Sequence, residues 1–239
     1  MTEKEITKEV SIIIPTYNEL NNLNHLIHRI HNSCKDNGIN EEIIIVDDNS
    51  PDGTADYAEE LGKVFPVRVL RRKGKLGLSS AVMAGFSIAN ADILGVIDAD
   101  LSHPPEVIPH LVNLIRDKGT ELTIGSRYAK GGGVEEWTIV RKIISRGATL
   151  LAKPLTKVKD PMSGFFFFKR KILDGVKLTP QGYKILLEVL VKANYGSVEE
   201  YPYVFQNRIV GSSKLGSKTM IHYVKHLGDL YKYKIFRKK

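Results

Sequence analysis

Short runs of Ile, Val and Leu, separated by amphipathic stretches, constrain the fold of this chain more than any other feature. The runs predict strands, and the helical spacing of apolar residues between them predicts helices. Strands that are apolar on both faces and alternate with helices are typical of a parallel sheet that helices cover on both sides. We therefore predict a doubly wound α/β layer with a mostly parallel sheet. The predicted strands span 10–15, 42–46, 67–70, 93–97 and 122–124, and the predicted helices span 20–32, 54–62, 78–90 and 104–118.

The second half of the chain has a less regular pattern. Four apolar residues at helical spacing among basic residues predict an amphipathic helix over 137–153: Trp137, Val140, Ile144 and Leu151. We also predict a turn and strand over 160–170, a helix over 182–194 and a strand over 197–206. The tail from 218 onwards mixes apolar and basic residues. We expect one globular domain over 1–215 and a basic amphipathic helix over 216–239.

Composition narrows the class of protein. The 239 residues contain a single cysteine, Cys34, so an intramolecular disulfide is excluded and a reducing compartment is favoured. The first ten residues are charged and lack the apolar region of a secretory signal. No run approaches about 18 apolar residues, so we expect no membrane-spanning helix. The net charge of +8 indicates an anionic partner.

Acidic residues follow directly after two of the predicted strands. Asp47 and Asp48 come directly after the second strand, and Asp98 and Asp100 after the fourth. The carboxyl ends of parallel strands line one crevice, which is where such sheets bind ligands. Residues two apart on an extended chain point the same way, so the Asp98 and Asp100 carboxylates would repel each other without a cation between them. Oxygen ligands of this kind suit Mg²⁺ or Mn²⁺, whereas the alternative is a pair of exposed acids in a turn.

The exit of the first strand reads "IPTYNE", residues 14–19. Pro15 ends the strand, the Tyr17 ring offers a surface for a nucleotide base, and Glu19 offers an acceptor. The alternative is an ordinary turn in which Asn18 or Glu19 caps the next helix. The chain has no G-x-G-x-x-G fingerprint and no P-loop, because Ser217 stands where the P-loop lysine would be. His103 lies near the acidic pair, and we interpret it as a turn residue.

Basic residues in loops complete the pattern. Arg127 follows the fifth strand, and Arg141 and Ser145 lie one helical turn apart and face the same way. Arg208 and Lys214 flank a loop late in the chain. Arginine presents a planar fork to phosphate oxygens and lysine a point charge. Beside an acidic metal crevice, these residues indicate clamps for two phosphate groups.

Nine sequence blocks together resemble one family. In chain order they are "VSIIIPTYNE", "IIIVDDNSPDGT", "RRKGKLGLSSAVMAGF", "VIDADLSHPPE", "GSRY", "RKIISRGA", "DPMSGFFFFKR", "GYKILLEVL" and "GSSKLG". The set resembles the polyprenyl-phosphate (dolichol-phosphate) mannosyltransferase branch of the family 2 glycosyltransferases, over residues 9–231. The resemblance implies a GT-A fold for 1–215, with the segment 129–156 on the acceptor side. It also implies transfer of mannose from GDP-mannose to a membrane polyprenyl phosphate.

The resemblance implies a role for each matching residue. Six residues would surround the donor nucleotide: Pro15, Tyr17, Glu19, Val46, Asp48 and Ala99. Asp98 and Asp100 would hold the metal against the donor pyrophosphate. Ser102 is a further candidate ligand, although some relatives have Gln there and the Ser hydroxyl is shorter. Arg208 and Lys214 would clamp the same pyrophosphate.

The acceptor side is implied in the same way. Arg127, Arg141 and Ser145 would bind the acceptor phosphate, and Lys184 would lie beside the transferred sugar. The predicted catalytic residues are Asp100, Arg127, Lys184 and Arg208. A metal and two cationic side chains would stabilise the departing pyrophosphate. A phosphate acceptor is mostly a dianion at pH 7, since its second pKa is about 6, so no general base is needed. In-line attack would invert the anomeric centre.

The lipid acceptor implies contact with a membrane surface. The segment 137–153 and the tail from 218 are candidate interfacial helices, and the alternative is that both simply pack on the catalytic domain. A small membrane-anchoring subunit is a further candidate partner. We expect a peripheral protein on the cytoplasmic face of a membrane, the endoplasmic reticulum in a eukaryote or the plasma membrane in a prokaryote.

Three other functions compete with this one. A UDP-sugar such as UDP-glucose could replace GDP-mannose, since few side chains build the base pocket. A non-catalytic membrane adaptor would keep the fold but lack the metal pair or the clamps, and this chain has both. Nucleic-acid binding is disfavoured, because the strongest motifs are acidic and no aromatic–basic strand signature occurs.

Overall fold

The computed structural model describes residues 8–135, 137–179, 184–206 and 217–237. Within them the strands are β1 (Val10–Thr16), β2 (Glu41–Asp47), β3 (Val67–Arg71), β4 (Ile93–Val96), β5 (Leu122–Ser126), β6 (Gly133–Val134), β7 (Phe166–Lys169), β8 (Val198–Pro202) and β9 (Val204–Phe205). The helices are α1 (Leu20–Asp36), α2 (Thr54–Leu61), α3 (Leu78–Ile88), α4 (Ile108–Arg116), α5 (Ile139–Ala152), α6 (Ile185–Lys192) and α7 (Ser217–Arg237). Short 3₁₀ turns lie at Pro105–Val107 and Arg170–Leu173.

A seven-stranded sheet in the order β3-β2-β1-β4-β7-β5-β8 forms the centre of the molecule. Strands β1 to β4 pair in parallel, and so do β5 and β8. Only β7 runs antiparallel to both of its neighbours among the described strands of this sheet. The predicted α/β class with a mostly parallel sheet is therefore confirmed. The carboxyl ends of β1, β2, β4 and β5 all lie at one edge of the sheet.

The aromatic run at β7 explains how an antiparallel strand fits in the middle of this sheet. All four side chains from Phe165 to Phe168 are fully buried. Phe165 and Phe167 pack in the core on the α1 and α4 side, whereas Phe166 and Phe168 pack with α3 and α6. Gly95 makes room for this packing, because a Cβ there would overlap the Phe167 ring.

Two predictions from the second half need correction. The predicted strand over 197–206 divides into β8 and β9 at Tyr203, because β9 leaves the main sheet and pairs with β6. The predicted helix over 137–153 begins only at Ile139, since the Thr138 hydroxyl accepts a hydrogen bond from the Arg141 backbone N–H and caps the helix. Trp137 therefore precedes the helix, and its ring is buried in the core.

Helices α5 and α7 pack together at one side of the molecule. The Tyr223 hydroxyl donates to the Ala148 carbonyl at 2.6 Å, and the Tyr231 hydroxyl donates to the Leu151 carbonyl at 2.7 Å. Lys234 Nζ donates to the Pro154 carbonyl at 2.8 Å. The Leu151 carbonyl is in the last turn of α5, where carbonyls lack partners within the helix, so α7 satisfies part of that end and fixes its position.

Both of these helices also expose apolar side chains. On α5 these are Ile139, Val140, Ile143, Ile144, Leu150 and Leu151, and on α7 they are Ile221, Val224, Ile235 and Phe236. Each helix thus packs one face on the protein and presents an apolar face to the outside. Across the residues that the structure describes, no helix is both long enough and apolar enough to cross a bilayer.

Candidate active site

Three strand exits share an unusual backbone conformation. A residue with left-handed φ follows each of β1, β2 and β4: Asn18 at 61°, Asn49 at 60° and Leu101 at 60°. Asparagine tolerates this region, but a leucine costs about 1–2 kcal/mol there. Leu101 is buried directly after the Asp98–Asp100 turn. Strain of this kind concentrates at functional sites, so it supports placing a site at this edge.

The exit of β1 carries two of the predicted nucleotide contacts. Lys75 Nζ lies 3.8 Å from the centroid of the half-buried Tyr17 ring. Glu19 is the residue before α1, but its side chain makes no capping bond; it accepts instead from Asn22 Nδ2 at 2.8 Å. Pro15 is half-buried at the end of the strand. The Glu19 side chain therefore does not cap α1, and the capping alternative for this residue is wrong.

The two adjacent aspartates after β2 have different partners. Asp47 accepts from the Ser50 backbone N–H at 2.8 Å and so shapes the turn that follows β2. Asp48 pairs with Arg72 at 2.6 Å and also accepts from the Gly77 backbone N–H at 2.8 Å. It thus organises the loop before α3, which borders the predicted nucleotide site. The Val46 side chain is fully buried in the core, so any contact of Val46 with a nucleotide is limited to its backbone.

The Asp98–Asp100 pair lies in a turn beyond β4, not on an extended strand as the spacing predicts. The two carboxylates differ in environment: the Asp98 side chain is 30% exposed, whereas Asp100 is buried. Asp100 Oδ1 accepts from the Ser102 hydroxyl at 2.5 Å and from the Ser102 backbone N–H at 3.1 Å. Ala99 is buried between the two acids. The Ser102 hydroxyl is committed to Asp100, which favours orientation of that carboxylate over metal ligation by Ser102.

The space beside Asp98 suits a small cation. A Cβ at Gly164 would lie 2.7 Å from Asp98 Oδ2, so only glycine leaves this side of the carboxylate uncrowded. Two carboxylates, completed by phosphate oxygens of a donor, form the oxygen-rich set that Mg²⁺ and Mn²⁺ prefer. Among the described residues, no group of three His, Cys, Asp or Glu side chains is arranged to enclose a metal by itself. The residues therefore fit a metal that is shared with a bound substrate.

His103 is a site residue that sequence reasoning interpreted as part of a turn. Its ring is buried, with Nδ1 3.3 Å from the Ser102 hydroxyl and 3.8 Å from Asp98 Oδ2. The Tyr203 and Phe205 rings pack against it at centroid distances of 5.5 and 5.4 Å. Burial lowers the pKa of His103 to about 4, so the imidazole is neutral at pH 7. The buried His103 ring thus packs beneath the turn that carries Asp98 and Asp100 and supports its conformation.

Arg127, after β5, forms the most buried ion pair of the site with Asp160. Its Nε and Nη2 donate to the two carboxylate oxygens at 2.7 and 2.6 Å, and its backbone N–H donates to Asp160 Oδ2 at 3.0 Å. Burial opposes the charge, but the hydrogen bonds and charge of Asp160 raise the pKa of the guanidinium. Sequence reasoning missed Asp160, although the "DPMSG" turn that begins with it was part of the resemblance.

Lys184 precedes α6 and interacts electrostatically with both Asp98 and Arg127. Its Nζ donates to the Met162 carbonyl at 3.2 Å. Burial and the positive charge of Arg127 lower the pKa of Lys184 to about 8, against the opposing effects of Asp98 and Asp160. The Lys184 ammonium is therefore within electrostatic reach of both halves of the predicted site.

Arg141 and Ser145 share the protein-facing side of α5, as their spacing predicts. The Ser145 hydroxyl is 2.8 Å from the Tyr128 hydroxyl. The Arg141 guanidinium lies 4.2 Å from the centroid of the Trp137 ring, and the Arg127 guanidinium lies 5.4 Å from it. Trp137 thus stands between the two arginines that are predicted to bind the acceptor phosphate. Arg208 and Lys214 lie outside the described residues.

Comparison with protein families identifies the class of the chain. A model described as Glycosyl transferase family 2 matches residues 11–176. The chain therefore belongs to glycosyl transferase family 2, which confirms the predicted family and the predicted type of enzyme, a glycosyltransferase.

Within this family the chain is similar to curated proteins named dolichol-phosphate mannosyltransferase. The Pyrococcus furiosus protein is 48% identical over 94% of this chain, which spans 64% of that relative's length. The Saccharomyces cerevisiae protein is 38% identical over 95% of this chain and 88% of the relative. The Mycosarcoma maydis protein is 38% identical over 95% of this chain and 81% of the relative.

Solved structures share the fold at low sequence identity. Mannosyl-3-phosphoglycerate synthase from Rubrobacter xylanophilus superposes with a TM-score of 0.71 and 20% identity, over 96% of this chain and 75% of the other. Glucosyl-3-phosphoglycerate synthase from Mycobacterium tuberculosis was solved with Mn²⁺, UDP-glucose and phosphoglyceric acid. It superposes with a TM-score of 0.62 and 20% identity, over 92% of this chain and 80% of the other. These likenesses confirm the predicted GT-A type of fold.

Proposed function

We propose that this protein transfers mannose from GDP-mannose to a polyprenyl phosphate such as dolichyl phosphate, with inversion at the anomeric carbon. The observation that carries the proposal is the segment 160–164, in which Asp160 pairs with Arg127 at 2.6 Å and Gly164 lies directly against the Asp98 carboxylate. A metal–pyrophosphate site and a phosphate-binding arginine are therefore neighbours in one crevice. The curated relatives named dolichol-phosphate mannosyltransferase support the same reaction.

The donor half rests on the acidic turn. In this proposal Asp98 and Asp100 hold a divalent metal, and Ser102 and His103 fix the orientation of the turn. Bound Mg²⁺ or Mn²⁺ supplies positive charge against the pyrophosphate, as in the fold neighbour solved with Mn²⁺ and UDP-glucose. Arg208 and Lys214 add cationic contacts to the same group. Tyr17, Glu19 and the Asp48-organised loop bind the nucleoside.

The acceptor half rests on Arg127 and Arg141, which lie on either side of Trp137, and on Ser145. Arg127 uses two of its five N–H donors on Asp160, and the remaining donors, with Arg141 and Ser145, bind the acceptor phosphate. The phosphate is largely a dianion at pH 7 and attacks without a general base. The protein positions it opposite the leaving group, and Lys184 offers its ammonium beside the sugar.

The lipid tail of the acceptor requires a membrane surface. The apolar faces of α5 and α7 are exposed next to basic residues, a combination typical of helices that lie in the bilayer interface. We therefore extend the proposal to peripheral association with the cytoplasmic face of a membrane, alone or with a small anchoring subunit. The alternative that both helices only pack on the domain leaves these apolar faces without a role.

A direct assay separates the candidate donors. Purified protein receives a short polyprenyl phosphate in detergent, with GDP-mannose or UDP-glucose, and with or without Mg²⁺ or Mn²⁺. We expect labelled lipid only with GDP-mannose and metal. Glucolipid formation would establish the UDP-sugar alternative. Nucleotide binding without any product, at all metal concentrations, would favour an adaptor.

A further inference from the structure

A cavity with three basic residues in its wall lies beside helix α5, outside the site described above. Its volume is about 310 Å³, and its walls are Tyr128, Arg146, Thr149, Leu150, Lys153 and Lys159. The neutral polar groups of the wall are already bonded: the Tyr128 hydroxyl to Ser145 at 2.8 Å, and the Thr149 hydroxyl to the Ser145 carbonyl at 3.0 Å. Arg146, Lys153 and Lys159 are exposed and the inner surface of the cavity is mainly apolar, so these side chains offer hydrocarbon to the cavity and positive charge at its rim.

These three cations lack acidic partners. No carboxylate pairs with the side chains of Arg146, Lys153 or Lys159 in the part of the chain that the structure describes. The nearby Glu200 carboxylate accepts from the Lys159 and Asp160 backbone N–H groups at 2.8 and 3.0 Å, and not from these side chains. Three uncompensated positive charges around one cavity favour an anionic ligand.

The mouth of the cavity adjoins the apolar face of α5. Leu150 lines the cavity and is 61% exposed, and Ile143, two helical turns earlier on the same face, is 64% exposed. Arg146 lies between them on that face. A ligand in this position therefore meets an apolar surface inside the cavity, and both cations and apolar side chains at its rim. An anionic headgroup that carries acyl chains matches both surfaces, whereas a free anion matches only one.

We infer that this cavity binds an anionic membrane phospholipid, distinct from the acceptor, with apolar chain in the cavity and the phosphodiester headgroup at the basic rim. The inference rests on the proposed membrane contact of α5. A bound headgroup would seat α5 on the bilayer, with Arg141 and Ser145 one turn away from it, and so would present the acceptor site to lipid-borne phosphate. Any basic residue near an anionic leaflet contributes about a fivefold gain in partitioning, so removal of any three weakens binding by about a hundredfold, and a specific site predicts a loss beyond that.

Vesicle binding tests the inference with two matched variants. R146Q/K153Q/K159Q removes the cavity cations, and K142Q/K225Q/K232Q removes three exposed lysines of α5 and α7 outside the cavity. We expect the control to bind vesicles of phosphatidylcholine and phosphatidylglycerol about a hundredfold more weakly than the unmodified protein, and the cavity variant about tenfold more weakly than the control. Equal losses of vesicle binding in the two variants would show that basic residues act through their charge regardless of position. That result would overturn the proposed site.

A soluble probe separates this inference from the proposed function. Dihexanoyl phosphatidylglycerol, kept monomeric, should bind the unmodified protein and the R141A variant with one site per chain, but not the cavity variant. Inorganic phosphate should bind at least tenfold more weakly, and equal affinity would overturn the lipid assignment. Transfer to farnesyl phosphate without a bilayer should be unchanged in the cavity variant. A loss there would assign these cations to the acceptor site instead.

Discussion

Asp160 binds Arg127 through two parallel hydrogen bonds, from Nε to Oδ2 at 2.7 Å and from Nη2 to Oδ1 at 2.6 Å, and both side chains are buried. A bidentate pair fixes the plane of the guanidinium as well as its position. It also leaves three N–H donors of Arg127 for a substrate. We interpret Asp160 as the residue that positions Arg127 for the acceptor phosphate.

Replacement of Asp160 by asparagine tests this interpretation. Asparagine has the same shape, but it lacks the charge and one acceptor, so Arg127 keeps a buried charge without full compensation. We expect the free energy of unfolding to fall by about 3 kcal/mol, measured by urea denaturation. We expect KM for the lipid acceptor to rise at least tenfold while KM for the donor changes less than threefold. The control is Asp174→Asn at an exposed position, which should alter neither.

Replacement of Asp100 tests the predicted metal ligand itself, and replacement of Ser102 tests the hydrogen bond that orients this ligand. Asp100→Ala should abolish metal-dependent turnover and leave the fold intact by circular dichroism. Ser102→Ala removes the 2.5 Å hydrogen bond that orients the Asp100 carboxylate, and such losses typically cost about 10–100-fold in metal affinity or activity. Metal dependence is measured by titration of Mn²⁺ into the assay. Near-normal activity of Asp100→Ala would remove this carboxylate from the metal site.

The pH dependence of turnover tests Lys184. In the proposed reaction its ammonium is the active form, and its pKa is about 8, so the charge is present at pH 7 and is lost as pH rises through 8. We expect kcat to fall above pH 8 in the unmodified protein. Lys184→Arg keeps the charge and should move this fall beyond pH 9, whereas Lys177→Arg at an exposed site should not. An unchanged alkaline limb in Lys184→Arg would show that another group controls it.

Trp137 offers an optical test of the acceptor site because it is the only tryptophan in the chain. The Arg141 guanidinium lies 4.2 Å from its ring centroid, so a phosphate that draws Arg141 away should change its fluorescence. We expect farnesyl phosphate, but not farnesol, to produce a saturable change. Arg141→Ala should abolish that change and impair use of the acceptor far more than donor binding, whereas Lys142→Ala should do neither. An equal loss of donor and acceptor binding in Arg141→Ala would count against the acceptor role.

The sequence predicts much of the candidate site at the carboxyl edge of the sheet, because the signals there are local. Apolar strands followed directly by Asp48, Asp98 and Arg127 indicate both the sheet and the polar crevice at its carboxyl edge. The spacing of Arg141 and Ser145 likewise identifies one face of α5. Periodicity within the strands and helices carries this information without any tertiary contact.

The remaining features depend on contacts between segments far apart in the chain. Asp160 and Arg127 are 33 residues apart, and nothing local to Asp160 indicates which cation it will bind. The apolar spacing of 137–153 predicts a helix, but it does not reveal that Trp137 turns inward while Val140 and Ile144 face out. The inward position of Trp137 depends on a contact with a distant segment, since the Phe205 ring packs against it at a centroid distance of 5.4 Å.

The configuration of the product tests the central claim most directly. Purified protein, Mg²⁺ or Mn²⁺, GDP-α-mannose and a short polyprenyl phosphate are incubated, and the lipid product is isolated for mass spectrometry and NMR. We predict one mannose per lipid phosphate in the β configuration, formed with metal and not with chelator present. Free mannose, an α-linked product, or mannolipid formed equally well in chelator would contradict in-line transfer to a phosphate held by Arg127 and Arg141.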